Sequence, residues 1–436
     1  MNLSVGPSDV NGLNTEDAPY EGRPRLGKAL VVLDEPFFRH EGRLYSPSHW
    51  WRFADVLATQ FEQLDLYAML ADAPPPPHAS RVALRRAGLH GRFFYETIER
   101  FYRRLPFERA GLLRDAARLF AQYDVIMFRV PAAVAPMLGK VAWRLRKPTV
   151  VLVAGDVVLS NRYAEASGLK AFVARRVASR ARRAEKRLAA KAALAAVWGN
   201  ELVPVFAAVN SRTAVAASPN VRESHIVYRP DTCTDRPVRV ARVCQVVRTK
   251  GIECLVEALA AVRKRGHDVR VDVAGSLADG VYHRELAAQV DRLGLGEYVT
   301  FHGPLELGGP LFDFYRSADI HVVSSLGEGL PRCIVEGRCF GLPTVGTRVG
   351  GIPTVIHDEE DGLLVAPRDS AQIADAVERL IADGALRRHI IAAGYALART
   401  QTAEFQARRL ARLMAGALRG EDLPQWALDL NSLGDG

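Results

Sequence analysis

Asp319-Ile320-His321-Val322-Val323-Ser324-Ser325-Leu326-Gly327-Glu328-Gly329-Leu330-Pro331-Arg332-Cys333-Ile334-Val335-Glu336 decides the fold reading. Its first seven residues are an apolar run closing on two serines, the pattern of a strand buried on both faces of a parallel sheet. Gly327 and Gly329 let the chain turn tightly with its backbone exposed. Pro331 suits the first turn of a helix, where the amide it lacks would have no partner. Glu328 therefore belongs to a loop at the C-terminal end of a strand, and Glu336 lies about one and a half turns into the next helix. Open α/β sheets bind ligands beyond those strand ends, so both carboxylates are expected to face a ligand.

The same rhythm extends in both directions. Strands are expected at Val240–Val247, Val269–Ala274 and Val299–Phe301, and helices at Ile252–Arg265, Tyr282–Leu293 and Leu311–Ser317, with three more helical segments from Ala371 to Leu418. In the first half, Ala29–Leu33, Asp124–Phe128 and Thr149–Val153 read as strands. Helices are expected from Ser46-Pro47 to Gln60, over Arg92–Arg104, Phe107–Gln122, Ala132–Arg146 and Lys170–Ala196, then over Val203–Asn210; Pro74–Pro77 reads as a loop. Such alternation predicts α/β architecture with parallel sheets and right-handed crossovers. A chain of 436 residues exceeds one ordinary core. The expected division is a flexible lead-in over 1–27, a first domain over 28–230, a second over 231–420 and a tail over 421–436 that crosses back.

A hydrophobic share of 48% with 25% charged residues is globular rather than disordered. No run approaches the roughly 20 apolar residues of a membrane span, and the N-terminus lacks the apolar core of a secretory signal. The five cysteines, Cys233, Cys244, Cys254, Cys333 and Cys339, form no C-x-x-C pair, which fits a reduced, cytoplasmic chain. No zinc-type cluster of His and Cys appears. Residues 1–225 carry 33 Lys+Arg against 21 Asp+Glu, so the first half holds +12 and the rest −3. Arg176, Arg180, Arg183, Arg187 and Lys191 form one basic helical stripe, with Val173, Val177, Ala184 and Leu188 as the expected packed face. A solvated surface and contact with anionic lipid at the inner face of the membrane are both open readings; no nucleic-acid module is recognisable.

The Glu-x7-Glu pair is followed by a second Gly-Leu-Pro at Gly341-Leu342-Pro343, then Gly350-Gly351-Ile352-Pro353 and Asp361-Gly362-Leu363-Leu364. From about Val240 to Pro367 this resembles the retaining family-4 glycosyltransferases; the first half is similar only loosely. The resemblance implies the GT-B fold, two facing Rossmann-like domains with the active site in the interdomain cleft. It implies a hexosyltransferase that takes a sugar, with retention, from a UDP- or GDP-linked donor, requiring no metal or cofactor. The acceptor would be a molecule such as a lipid-linked or cell-surface glycan precursor. In the family's terms Glu328 would bind donor hydroxyls, Gly329 and Leu330 would lie near the phosphates, and Glu336 would take the ribose hydroxyls. Lys250 would be the main diphosphate cation with Arg248 beside it. Pro304 and Leu305 would meet the base, and Gly275-Ser276 the donor.

Departures from that pattern stand beside it. Cys244-Gln245-Val246 occupies the place of Gly-Arg-Leu, and Thr354 a place where Glu is common. Ala154 stands about where the resemblance implies a catalytic His, which leaves Asp156 as the nearest carboxylate and the candidate for a catalytic role at the donor or acceptor. A capping Glu at 328, a surface Glu at 336 and a capping role for Asp156 are the plain structural readings of those residues. A second functional class is a nucleotide-sugar-binding protein with little or no transfer activity. Nucleotide-sugar epimerases share the fold, whereas an NAD enzyme is disfavoured by the lack of a strand followed by G-x-G-x-x-G.

Overall fold

The computed structural model describes residues 3–5, 25–76, 79–93, 98–155, 168–277, 279–329 and 331–428, with the backbone alone for 3–5, 92–93, 98–108 and 168–174. The chain divides into two compact units, residues 1–220 with 403–436, and residues 221–402. Both crossings come earlier than 230 and 420. Helix Ala403–Leu418 buries Ala407, Leu410, Leu413 and Met414 in the same core as Trp50, Phe53 and Leu57. Val221 instead joins Ala241 and Ala274 in the second unit.

The second unit is a six-stranded sheet in the order Val299–Gly303, Val269–Ala274, Val238–Val243, Ile320–Val323, Thr344–Thr347, Leu363–Val365, and every pairing is parallel. In chain order that is third, second, first, fourth, fifth, sixth, so the direction of winding reverses between the first and fourth strands. Val240, Val271 and Val322 pack on one face against Leu255, Leu259 and Val262 of helix Ile252–Lys264. These helix residues recur at one-face spacing, and each fully buried apolar side chain contributes roughly 1.5–3 kcal/mol. The other face carries Ala241 and Ala274 with Phe312, Tyr315 and Phe340; the Tyr315 and Phe340 rings stack 5.6 Å apart. Asp279 caps helix Gly280–Arg292, accepting the Val281 and Tyr282 amides at 3.0 and 2.9 Å.

The first unit is a ten-stranded sheet whose main path runs Leu3–Val5, Gly88–Phe93, Phe61–Ala71, Leu26–His40, Val125–Val130, Thr149–Val153, Leu194–Val197, Thr213–Val215. Leu26–His40 far outruns the apolar core expected at Ala29–Leu33. A register shift between Val32 and Pro36 carries it on to pair antiparallel with Arg43–Ser46, which in turn pairs with Ser80–Val82. Strand Phe61–Ala71 escaped the sequence reading because Asp65 interrupts its apolar run. In the fold Asp65 is buried and accepts the Gly88 amide at 3.0 Å, Gln63 at 2.6 Å, His90 at 3.0 Å and the Tyr123 hydroxyl. Burial opposes its charge, yet the bonds from His90, Tyr123 and Gln63 hold its pKa below the usual carboxylate value.

Two helix expectations are corrected. Ile98–Phe120 is one helix running through Pro106, where two were expected; its later turns are anchored on the sheet by Leu112, Ala116 and Phe120. The alanine-rich helix spans Gly168–Ala189 and stops short of Ala196, because Leu194–Val197 pairs with Thr149–Val153 as a strand. Its packed face is rotated by one position from the expected one. Ala178, Arg182, Glu185 and Leu188 are buried, and Val177 is 60% exposed. Arg182 lies over the Phe206 ring and 3.7 Å from Glu185, so charge occupies positions where the pattern called for apolar residues. Arg176, Arg180, Arg183, Arg187 and Lys191 are exposed.

Candidate functional site

At the reversal in the second unit, the loops after the first and fourth strands leave neighbouring strand ends and knit together. Lys250 closes the short turn Arg248–Lys250 that follows strand Val238–Val243. The Ser324 hydroxyl donates to the Lys250 carbonyl at 3.0 Å, and the Leu326 amide to the Thr249 carbonyl at 2.8 Å. Gly251 has φ +57°, and a Cβ there would lie 2.2 Å from the Ser324 carbonyl oxygen, so this approach needs glycine. The third loop joins through Gly350, whose hypothetical Cβ would fall 1.8 Å from the Glu328 carbonyl oxygen. Beside it the Gly351 amide donates to the Gly329 carbonyl at 3.1 Å.

This knitting sets the polar centre. The Lys250 Nζ donates to Glu328 Oε2 at 2.6 Å, and the Ser325 hydroxyl donates to the same oxygen at 2.8 Å. Ser325 Oγ in turn accepts from Arg242 Nη2 at 2.8 Å. Both ends of the Lys250–Glu328 pair are mostly buried, which strengthens the pair relative to a surface ion pair. Glu336 sits in helix Arg332–Cys339 and is 5% exposed; its Oε2 accepts the Tyr315 hydroxyl at 2.9 Å. Pro331 precedes that helix as its N-cap residue rather than lying in the first turn.

The remaining expected residues fall around this centre unevenly. The Gly275 amide donates to the Gly303 carbonyl at 2.8 Å, and the Val246 amide to the Ser276 carbonyl at 2.9 Å, so the loops after the first three strands are tied together. Pro304 and Leu305 follow directly on Gly303. Arg248 is engaged elsewhere: it donates to Glu285 at 2.7 Å and lies 5.3 Å from the centroid of the Tyr282 ring. Asp156 and Leu330 lie outside the described residues; Ala154, just past strand Thr149–Val153, donates its amide to Val130.

The residues that sequence reasoning missed are Arg242, Ser325, Tyr315 and His321. For Arg242 a signal existed, because strand alternation puts it in register with the buried Val238 and Val240. His321 is buried with both ring nitrogens unpartnered among the described residues. Burial, with Arg242 and Arg338 nearby, lowers its pKa to about 3, so it stays neutral. Burial likewise pushes the Cys333 thiol up to about 12 and raises that of Cys244, so neither is a thiolate nucleophile.

Comparison with known proteins gives the setting. Residues 237–383 match the family model described as "Glycosyl transferases group 1". A D-inositol 3-phosphate glycosyltransferase of an Arthrobacter species is 36% identical over 148 residues, which are 33% of this chain and 34% of that protein. The chain thus matches only about a third of the length of such relatives. In structure, HepE of Anabaena in complex with UDP superposes with a TM-score of 0.66 at 18% identity, covering 90% of this chain and all of that one. Sucrose-phosphate synthase of Thermosynechococcus elongatus gives 0.61 at 20% identity, over 91% of this chain and all of the other. The fold of the chain is that of the GT-B glycosyltransferases.

Proposed function

We propose that this chain, a GT-B protein whose second unit carries a group 1 glycosyltransferase domain, transfers a hexose from a nucleotide diphosphate sugar to an acceptor with retention and without a metal ion. The observation that carries the reading is the Lys250–Glu328 pair, held at the winding reversal by loops whose approach leaves no room for a side chain at Gly251 or Gly350. Lys250 would neutralise charge on the departing diphosphate, and Glu328 would hold donor hydroxyls, so catalysis rests on positioning and electrostatic stabilisation. Glu336, fixed by Tyr315, is suited to accept the paired ribose hydroxyls. That HepE was solved with UDP, and with UDP-glucose, supports a UDP-linked donor, with a GDP-linked one as the alternative. The exposed arginine stripe supports an acceptor at an anionic membrane, such as a lipid-linked or cell-surface glycan precursor.

Thermal stabilisation by UDP, GDP, ADP and their sugars identifies the donor, since a ligand that binds only the folded state raises its apparent stability. With that donor, Lys250→Ala should lower turnover by about tenfold or more; unchanged turnover sinks the mechanism. Proton NMR of the product reads the retained anomer, and an EDTA control tests metal independence. Ala154, at a place where the resemblance expects a His, favours one other reading, a nucleotide-sugar-binding protein with little transfer. Tight donor binding without turnover of any acceptor offered would select it.

A further inference from the structure

We infer that Arg242 supplies the second positive charge of this anion site beside that of Lys250, holding Glu328 in place through Ser325. The inference rests on the donor reading of the site given above and deepens it. Arg242 ends the run of inward positions begun by Val238 and Val240, and its residue is 1% exposed. A guanidinium stays protonated at any ordinary pH, and it brings five N–H donors into the interior. Among the described residues Arg242 makes one side-chain hydrogen bond, to Ser325, and no ion pair; its Nε is unpartnered.

Other buried arginines of the second unit are paired. Arg338 meets Asp361 at 2.6 Å, and Arg387 meets Asp231 at 2.6 Å. A buried charge is costly unless paired and hydrogen-bonded, and these two obey that rule. Arg242 does not. The carboxylate it reaches through Ser325 is Glu328, which Lys250 already binds directly. Around Glu328, therefore, two cations face one carboxylate; Glu336, the site's other carboxylate, is bound to Tyr315, and a diphosphate beside Glu328 would meet both cations. Ser325 also spends its proton on Glu328 Oε2 and its lone pair on Arg242, so Oε2 receives two bonds. Glu328 Oε1 has no partner among the described residues and is left for a ligand hydroxyl. Arg242 is a positioning residue in this scheme, for it acts on the ligand by its field and through Ser325.

The test uses the full chain and three variants, Arg242→Met, Arg242→Lys and Ser325→Ala. The dissociation constant is measured for UDP by calorimetry and for uridine by ligand-observed NMR, or for GDP and guanosine if the protein prefers guanine. Arg242→Met should weaken the diphosphate by about tenfold or more while leaving the nucleoside unchanged, as expected for loss of a buried charge opposite an anion. Arg242→Lys should recover part of the loss, and Ser325→Ala should cost a few-fold. A purely structural role would move both ligands together. A folded Arg242→Met protein with an unchanged diphosphate-to-nucleoside ratio overturns the inference and leaves the donor reading intact. Should that variant not fold, an unchanged ratio in both Arg242→Lys and Ser325→Ala overturns it equally. If the unaltered protein binds none of UDP, GDP and ADP, the donor reading fails and this inference falls with it.

Discussion

The two units are both parallel sheets wrapped in helices, yet they hold their loops in different ways. In the second unit, backbone meets backbone: Gly251, Gly275 and Gly350 all have positive φ, and each would place a Cβ within 2.2 Å of another loop's carbonyl oxygen. In the first unit, side chains do the corresponding work. Asp65 gathers Gly88, His90, Gln63 and Tyr123, and Asp55 accepts the amides of Arg85, Arg86 and Ala87 at 2.7–3.0 Å. Backbone contact fixes a loop more rigidly than one carboxylate can, because no rotamer is available to relieve it. A rigid frame is what the Lys250–Glu328 centre requires if its catalytic worth is positioning.

The sharpest way to break that comparison is to put a methyl group on one glycine of each unit. Gly275 has φ +146°, and an added Cβ would sit 1.6 Å from the Cys244 carbonyl oxygen. Gly275→Ala should therefore cost about 3 kcal/mol or more, combining backbone strain with overpacking that a carbonyl cannot yield to. Gly42, in the turn between the antiparallel strands Leu26–His40 and Arg43–Ser46, has φ +71° with open space around it. Gly42→Ala should cost about 1 kcal/mol, from strain alone. Urea denaturation of both variants reads the difference. Equal costs would mean that the second unit's loops have slack, and the case for a rigid frame collapses.

The same contrast explains what was legible in the sequence. Strand Val269–Ala274 is a short run of valines closed by Gly275, and its observed bounds coincide with those the pattern predicts. The second unit's site was legible as far as glycine, proline and paired glutamates mark it. Arg242 was not, because an arginine reads as exposed unless strand register is followed to the end. Arg248 has a charge and position that point to an anion, and the structure adds Glu285 and Tyr282 within its reach, partners that no local pattern announces. In the first unit, buried Asp65, Arg182 and Glu185 break the apolar patterns on which strand and helix assignment depends. Asp65 is satisfied by distant partners, Gly88, His90 and Tyr123, which a local window cannot show, whereas Arg182 and Glu185 meet three positions apart and are read as an ordinary surface pair.

A pH experiment sharpens the comparison at the next level of effect. His321, on strand Ile320–Val323, has its pKa lowered to about 3 by burial and by the nearby Arg242 and Arg338. Its unfolded value is near 6.5, so between those values the unfolded chain binds a proton that the folded chain refuses. Stability from this group is thus fully present above the unfolded value and is lost as pH falls from about 6.5 toward 3. At pH 5 the loss should be roughly 2 kcal/mol relative to pH 8, and His321→Gln should remove that slope. Asp65 in the first unit, whose pKa is lowered, weakens its own unit only below the ordinary carboxylate value. Hydrogen exchange should accordingly loosen strand Ile320–Val323 at pH 5 while strand Thr149–Val153 keeps its protection. Loosening of both to the same degree would refute the assignment to His321.

The smallest expected effect on stability lies on helix Gly168–Ala189, and there the contrast runs between two kinds of arginine on one element. Arg176, Arg180, Arg183 and Arg187 are exposed, and replacing all four by Gln should shift the denaturation midpoint by no more than about 0.5 kcal/mol. Arg182 is buried over Phe206, so Arg182→Gln alone should cost more than the four together, roughly 1 kcal/mol, through lost packing as much as lost charge. If the exposed stripe docks the first unit on anionic lipid, the fourfold variant should lose binding to phosphatidylglycerol vesicles, since each basic residue near such a surface contributes about 1 kcal/mol. Sedimentation with vesicles at low and at physiological salt measures this directly. An unaltered protein that ignores the vesicles even at low salt, where screening is weakest, would return the stripe to an ordinary solvated surface.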